Sequence, residues 1–199
     1  QLTLETGTVD QIATYDTGSG SMILTFNYTV QAGDNSTDLD YIDSSALSLN
    51  GGTIDDSNGN VADLELPSPG DPNSLGDNEA IVIDGIAPTV DHVDSETAAG
   101  SYMAGVMIPI VITFSEAVTV SGTGTPQLTL ETGGADRVVD YTSGSGTTDL
   151  VFNYTVQAGD TAADLDYPAA DALVLTMNNI TDAAGNAATL TLPAPGTSG

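Results

Sequence analysis

Aspartates at repeated spacings are the residues of this chain that could do chemistry. A cluster of the form G-D-x-x-x-D-L-D-Y supplies Asp34, Asp38 and Asp40, and returns as Asp160, Asp164 and Asp166. A second pattern, D-x-x-G-N, supplies Asp56 and Asn60, then Asp182 and Asn186. A third group flanks the stretch D-G-I-A-P: Asp84 lies before it, Asp91, Asp94 and Glu96 after it, and Glu116 follows in F-S-E. Carboxylates two residues apart in an extended segment project to one side. Asp38 and Asp40 are therefore expected to face together, with Asp34 reachable across a turn. Clustered carboxylates repel one another unless a hard cation sits among them, and Ca²⁺ takes about six to eight oxygens from carboxylates and carbonyls. Calcium is the expected ligand of the first cluster.

The second pattern has two readings. Asp opens a tight turn, and Gly and Asn tolerate positive φ, so a turn alone explains it. The same Asp and Asn side chains could also hold a cation. At the third group, acids from two domains could share an ion and stiffen the joint between them. None of the three matches the spacing of an EF-hand or of a calcium-binding nonapeptide repeat.

Catalytic signals are thin. His92 is the one histidine and has no Ser–His–Asp motif around it. Arg137 is the one basic side chain. Carboxylate pairs could serve glycoside hydrolysis, but the chain has no tryptophan to line a sugar cleft. A carbohydrate-binding or carbohydrate-active domain is thus a minor alternative. N-x-T sequons begin at Asn27, Asn35, Asn153 and Asn179.

Charge narrows the partners. There are 28 acidic residues against one arginine and no lysine, for a formal net charge of −27. Nucleic acid and anionic membrane surfaces would be repelled. The acids are 22 Asp and 6 Glu, a bias toward turn and calcium-ligand chemistry rather than helix. With no cysteine, disulfides and thiolate metal sites are excluded. No apolar run approaches the length of a bilayer span.

The elements that must carry these acids come in two copies. Residues 1–73 and 127–199 align without a gap at an offset of 126, with QLTLETG, FNYTVQAGD and DLDY in both. So long a period means tandem domains rather than a short solenoid repeat. Alternating apolar stretches at 1–5, 23–30, 62–66 and 80–84 read as strands. So do 107–114, 117–120, 127–131, 137–141, 150–156, 173–176 and 187–192. A single helical turn is expected at 40–46 and at 166–172. About seven short strands per hundred-odd residues point to tandem immunoglobulin-like β-sandwiches. The boundary is placed at 85/86: residues 1–85 form a repeat lacking its N-terminal strands, and 86–199 one lacking its final strand. Such ends fit an excerpt of a longer array. They also fit identical subunits that complete one another head to tail by strand exchange.

The ordered set F-S-E-x-V-x-V, P-Q-L-T-L-E-T-G, S-G-S-G-T, F-x-Y-T-V-Q-x-G-D, D-L-D-Y, I-x-D-x-x-G-N-x-A, L-x-L-P and I-D-G-x-A-P resembles the bacterial Ig-like repeats of large surface proteins and adhesins. It covers nearly the whole chain. The resemblance implies a β-sandwich, calcium-stiffened junctions and a non-catalytic role in an extracellular stalk or fibre, with neighbouring repeats as partners. Permuted ends are the departure from that pattern.

Overall fold

The computed structural model describes residues 1–196. The chain is almost all β and divides into two compact units, Gln1–Ile86 and Ala87–Gly199.

Unit 1 is the sparser of the two. Strands β1 (Leu2–Leu4), β2 (Gln11–Thr17) and β3 (Thr25–Asn27) form an antiparallel sheet in the order β1-β2-β3. Leu4 stands opposite Gln11, and Tyr15 opposite Phe26. A separate pair joins β4 (Asn35–Ser36) to β5 (Ile83–Asp84). Alternation decides which side chains go inward: Leu4, Ala13, Leu39, Tyr41, Ala46 and Ile83 make the buried core. One helical turn, α1 (Leu75–Asn78), starts where the Ser74 side chain accepts the Asp77 N–H, a side-chain cap for an otherwise unpaired donor.

Unit 2 has β6 (Val90–Asp94), β7 (Met107–Gly122), β8 (Gln127–Leu130), β9 (Arg137–Ser143), β10 (Thr147–Thr155), β11 (Leu173–Val174) and β12 (Asn178–Thr181). Their order is β11-β8-β9-β10-β7-β12, with β6 also on β7. The long strand β7 changes partner along its length. Its first half pairs with β10 and β6, and its last four residues pair with β12. Strand β9 does the same, from β8 at residues 137–140 to β10 at Tyr141 and Ser143.

Equivalent residues differ in burial for a visible reason. On β10, Leu150, Phe152 and Tyr154 stand opposite Ile112, Ile110 and Ile108 of β7, and Leu150 and Phe152 are fully buried. Their counterparts Leu24, Phe26 and Tyr28 are only half-buried, because β3 has β2 as its one strand neighbour. Full burial of such a side chain is worth about 1.5–3 kcal/mol, so the sixteen-residue core of unit 2 outweighs the six-residue core of unit 1.

The G-S-G turns need their first glycine. Gly144 has φ of 108°, and a Cβ there would lie 1.9 Å from the Asp149 carbonyl oxygen. Gly18 repeats this with φ of 114° and 2.0 Å to the Ile23 oxygen. Only glycine fits both the dihedral and the approach.

Four expected elements are corrected. No helix forms at 40–46 or 166–172; these are turns, closed by Ala46 N–H to Asp43 O and Ala172 N–H to Ala169 O at 3.1 Å each. Asp and Ser compete there for the backbone donors that a helix needs. The stretches 62–66 and 187–192 alternate in burial but are not ladder strands. Each leans on a loop instead, through Leu66 N–H to Ser44 O (2.9 Å) and Leu192 N–H to Ala170 O (2.8 Å).

Candidate functional site

The recurring carboxylates are spoken for by their own loops. Asp34 is buried and accepts three hydrogen bonds: Tyr28 hydroxyl at 2.5 Å, Gln31 N–H at 2.7 Å and Gln11 Nε2 at 2.9 Å. Asp160 repeats the arrangement with Tyr154 at 2.7 Å and Gln157 N–H at 2.8 Å, but Arg137 replaces Gln11. Both Arg137 Nε and Nη2 reach Asp160 Oδ1, at 2.9 and 2.7 Å. Direct donation to the charged form lowers a carboxyl pKa. Tyr28 first, then Gln31 and Gln11, hold Asp34 below its ordinary value against the opposing effect of burial. Arg137 is the largest cause at Asp160, which falls to about 2. The tyrosines move the other way: burial first, then the aspartate partner, pushes Tyr28 and Tyr154 up to about 12.

Asp40 fastens a different loop. Its carboxylate accepts Tyr41 N–H at 2.9 Å and Gly70 N–H at 3.1 Å, with Ser74 and Gly76 adding further donors. Burial works to raise its pKa, and these bonds together outweigh it. Asp166 receives the matching donors, Tyr167 N–H at 2.8 Å and Gly196 N–H at 2.7 Å. The adjacent tyrosines complete the fastening: Tyr41 hydroxyl donates to Pro67 O and Tyr167 hydroxyl to Pro193 O, each 26 residues on.

Asp56 and Asp182 close the D-x-x-G-N turns. Asp56 accepts Asn58 N–H, Asn60 N–H and Asn60 Nδ2 at 2.8–2.9 Å, and Asn60 is the first cause of a pKa near 2. Asp182 accepts Gly185 N–H, Asn186 N–H and Asn186 Nδ2 at 2.7–2.8 Å. Asp182 is buried where Asp56 is exposed. Burial pulls its pKa up, and the Asn186 side chain and the backbone donors more than cancel that.

The expected gathering of Asp34, Asp38 and Asp40 around one ion is not found. Leu39 is buried between them; Asp40 turns into the unit, while Asp38 is exposed. Asp164 is likewise exposed, away from the donors that engage Asp160 and Asp166. Among the described residues, none of these six acids joins a group of three metal-ligating side chains within 4.8 Å. Asp91 lies exposed on β6, beside an exposed His92. Asp84 sits in β5 opposite Asn35, and its Oδ1 accepts Ile86 N–H at 3.1 Å.

One acidic pair in unit 2 does converge. Glu116 of β7 and Asp182, just after β12, bring carboxylate oxygens within 4.8 Å of each other. The antiparallel pairing of Thr119 with Thr181 fixes that approach. Sequence reading named both residues but assigned them to separate groups, since they are far apart in the chain.

Comparison with protein-family models, with curated proteins and with solved structures finds no match to this chain.

Proposed function

We propose that the chain is a structural repeat module of an extracellular adhesin stalk or fibre, non-catalytic and stabilised by calcium. The observation that carries this reading is the repeated use of carboxylates as fasteners. Asp34 and Asp160, Asp40 and Asp166, Asp56 and Asp182 occupy equivalent places and receive equivalent donors from their own loops. Every shifted carboxyl lies below its ordinary value. A general acid needs the reverse, a pKa raised toward the working pH. Carboxylates tied in this way hold turns in shape.

The fold reading is a tandem of immunoglobulin-like sandwiches. Its support is the change of partners along β7 and β9, since strands that pass from one sheet to another are how two packed sheets share corners. The calcium reading now rests on Glu116 and Asp182. Two carboxylates this close create a negative spot that draws a cation, which would add to the donors Asp182 already has from its own turn. A hard, oxygen-seeking cation suits such a pair, with nearby carbonyls and water completing its shell. Extracellular placement follows from the same chemistry, because weak calcium sites fill only where the free ion is abundant. The described residues contain no helix long and apolar enough to cross a membrane.

A stalk is tested by its length. Arrays of increasing copy number, measured by small-angle scattering, should gain maximum dimension in proportion to the number of repeats. A dimension that levels off as copies are added would remove the stalk reading.

A further inference from the structure

Unit 2 contains an open groove whose filled form is seen in unit 1. The groove lies between residues 97–102 and 160–167, over Ile108, Leu130 and Tyr154. At the repeat offset, Leu130, Tyr154, Asp160, Leu165 and Tyr167 correspond to Leu4, Tyr28, Asp34, Leu39 and Tyr41. In unit 1 that surface is covered by the segment 80–85, A-I-V-I-D-G. Leu39 N–H donates to Ile81 O at 2.7 Å, Gly33 N–H to Gly85 O at 2.8 Å, and Gly85 N–H to Asp34 O at 2.7 Å. Asn35 and Ser36 pair antiparallel with Asp84 and Ile83. Ile83 is buried in the core beside Leu4, Leu39 and Tyr41. Gly85 can pass because it has no Cβ, which would lie 2.4 Å from the Gln31 oxygen.

The matching groups of unit 2 have no such partner. Among the described residues, Leu165 N–H, Gly159 N–H and Asp160 C=O make none of the backbone bonds that Leu39, Gly33 and Asp34 make. Leu165 is half-buried where Leu39 is buried. A slot with Ile108 and Leu130 on its floor, flanked by unpaired backbone groups, takes up an extended strand, the backbone giving affinity and the pocket giving selectivity.

We propose that this groove binds an extended peptide segment with the chemistry of residues 80–85: a short run of β-branched apolar residues ending in Asp-Gly. It would run antiparallel to residues 161–162. The apolar residue in the place of Ile83 seats against Leu130 and Leu165, and the glycine passes the Gln157 carbonyl as Gly85 passes that of Gln31. This inference does not depend on the calcium reading, and its test is run with a chelator present.

The test is amide hydrogen exchange of the whole chain, followed by NMR, with a synthetic peptide of residues 78–88. Ample salt screens the repulsion between two acidic partners. Exchange at Leu165 and Gly159 should slow at least about tenfold, roughly 1.4 kcal/mol of protection. Leu39 and Gly33, already bonded, should not change. A peptide carrying Ile83→Asp should give no protection. Unchanged exchange at millimolar peptide, or equal protection by the Ile83→Asp peptide, would overturn the proposal.

Discussion

Arg137 closes on Asp160 with two nitrogens on a single carboxylate oxygen, at 2.9 and 2.7 Å. In the other copy, Gln11 meets Asp34 at the same place with one neutral donor at 2.9 Å. The chain has used its only basic side chain to strengthen one of two otherwise equivalent fasteners. Charge-assisted bonds are roughly twice as strong as neutral ones. Arg137→Gln should therefore lower the stability of unit 2 slightly and leave unit 1 unchanged, while Asp160→Ala should lower it several times more. Denaturant unfolding of the two variants checks the order. Equal effects would show that the guanidinium, not the turn, is what the carboxylate serves.

The unequal cores predict unequal costs for the same substitution. Leu150 is fully buried and Leu24 half-buried. Leu150→Ala should cost about 2–5 kcal/mol, the range for a filled core site. Leu24→Ala should cost less than half as much. Denaturant midpoints for the pair decide the matter, and equal losses would contradict the burial argument.

The S-G-S-G turn predicts a backbone effect with no lost contact. Gly144→Ala must place a Cβ against the Asp149 carbonyl at a φ of 108°. The left-handed conformation alone costs roughly 1–2 kcal/mol for a residue with a Cβ, and the overlap adds to it. Gly146 also has positive φ, at 89°, but faces open space. Gly146→Ala should therefore cost only the conformational part. Thermal melting of the two variants should rank them in that order.

Stability should fall at both ends of the pH scale. Asp56 and Asp160 titrate near 2 when folded, from an ordinary 3.8. A depressed pKa contributes stability that is present above the unfolded value and is lost as pH falls through the folded one. The acid loss thus lies between about pH 4 and pH 2. Tyr28 and Tyr154 rise from 10.0 to about 12. Between those values the unfolded chain releases protons that the folded chain keeps, so stability drops as pH rises through that window. Tyr154→Phe should flatten the alkaline limb, as read by unfolding midpoints at each pH.

Much of the fold was legible from alternation and duplication. Leu150, Phe152 and Tyr154 announce a strand with one buried face, and it forms as β10. Strand β2 was harder to see, because Ile12 and Tyr15 face outward while only Ala13 is buried. The helical turn α1 hides in a segment rich in Gly and Pro, where S-L-G-D is the only sign of a cap. At the site, spacing placed the acids in pairs across the copies but could not say where each carboxylate points. Asp34 and Asp40 turn to backbone donors within reach, a choice made by local loop geometry. The approach of Glu116 to Asp182 depends on strand register between β7 and β12, which no local pattern encodes.

The calcium reading meets its sharpest test in the melting of the intact chain with calcium and with a chelator. At free ion tenfold above the dissociation constant, one site adds about 1.4 kcal/mol. The transition of unit 2 should move up with calcium and return with chelator, and Glu116→Gln should abolish the difference while Asp38→Asn preserves it. Identical melting in both conditions would contradict a calcium-stabilised module.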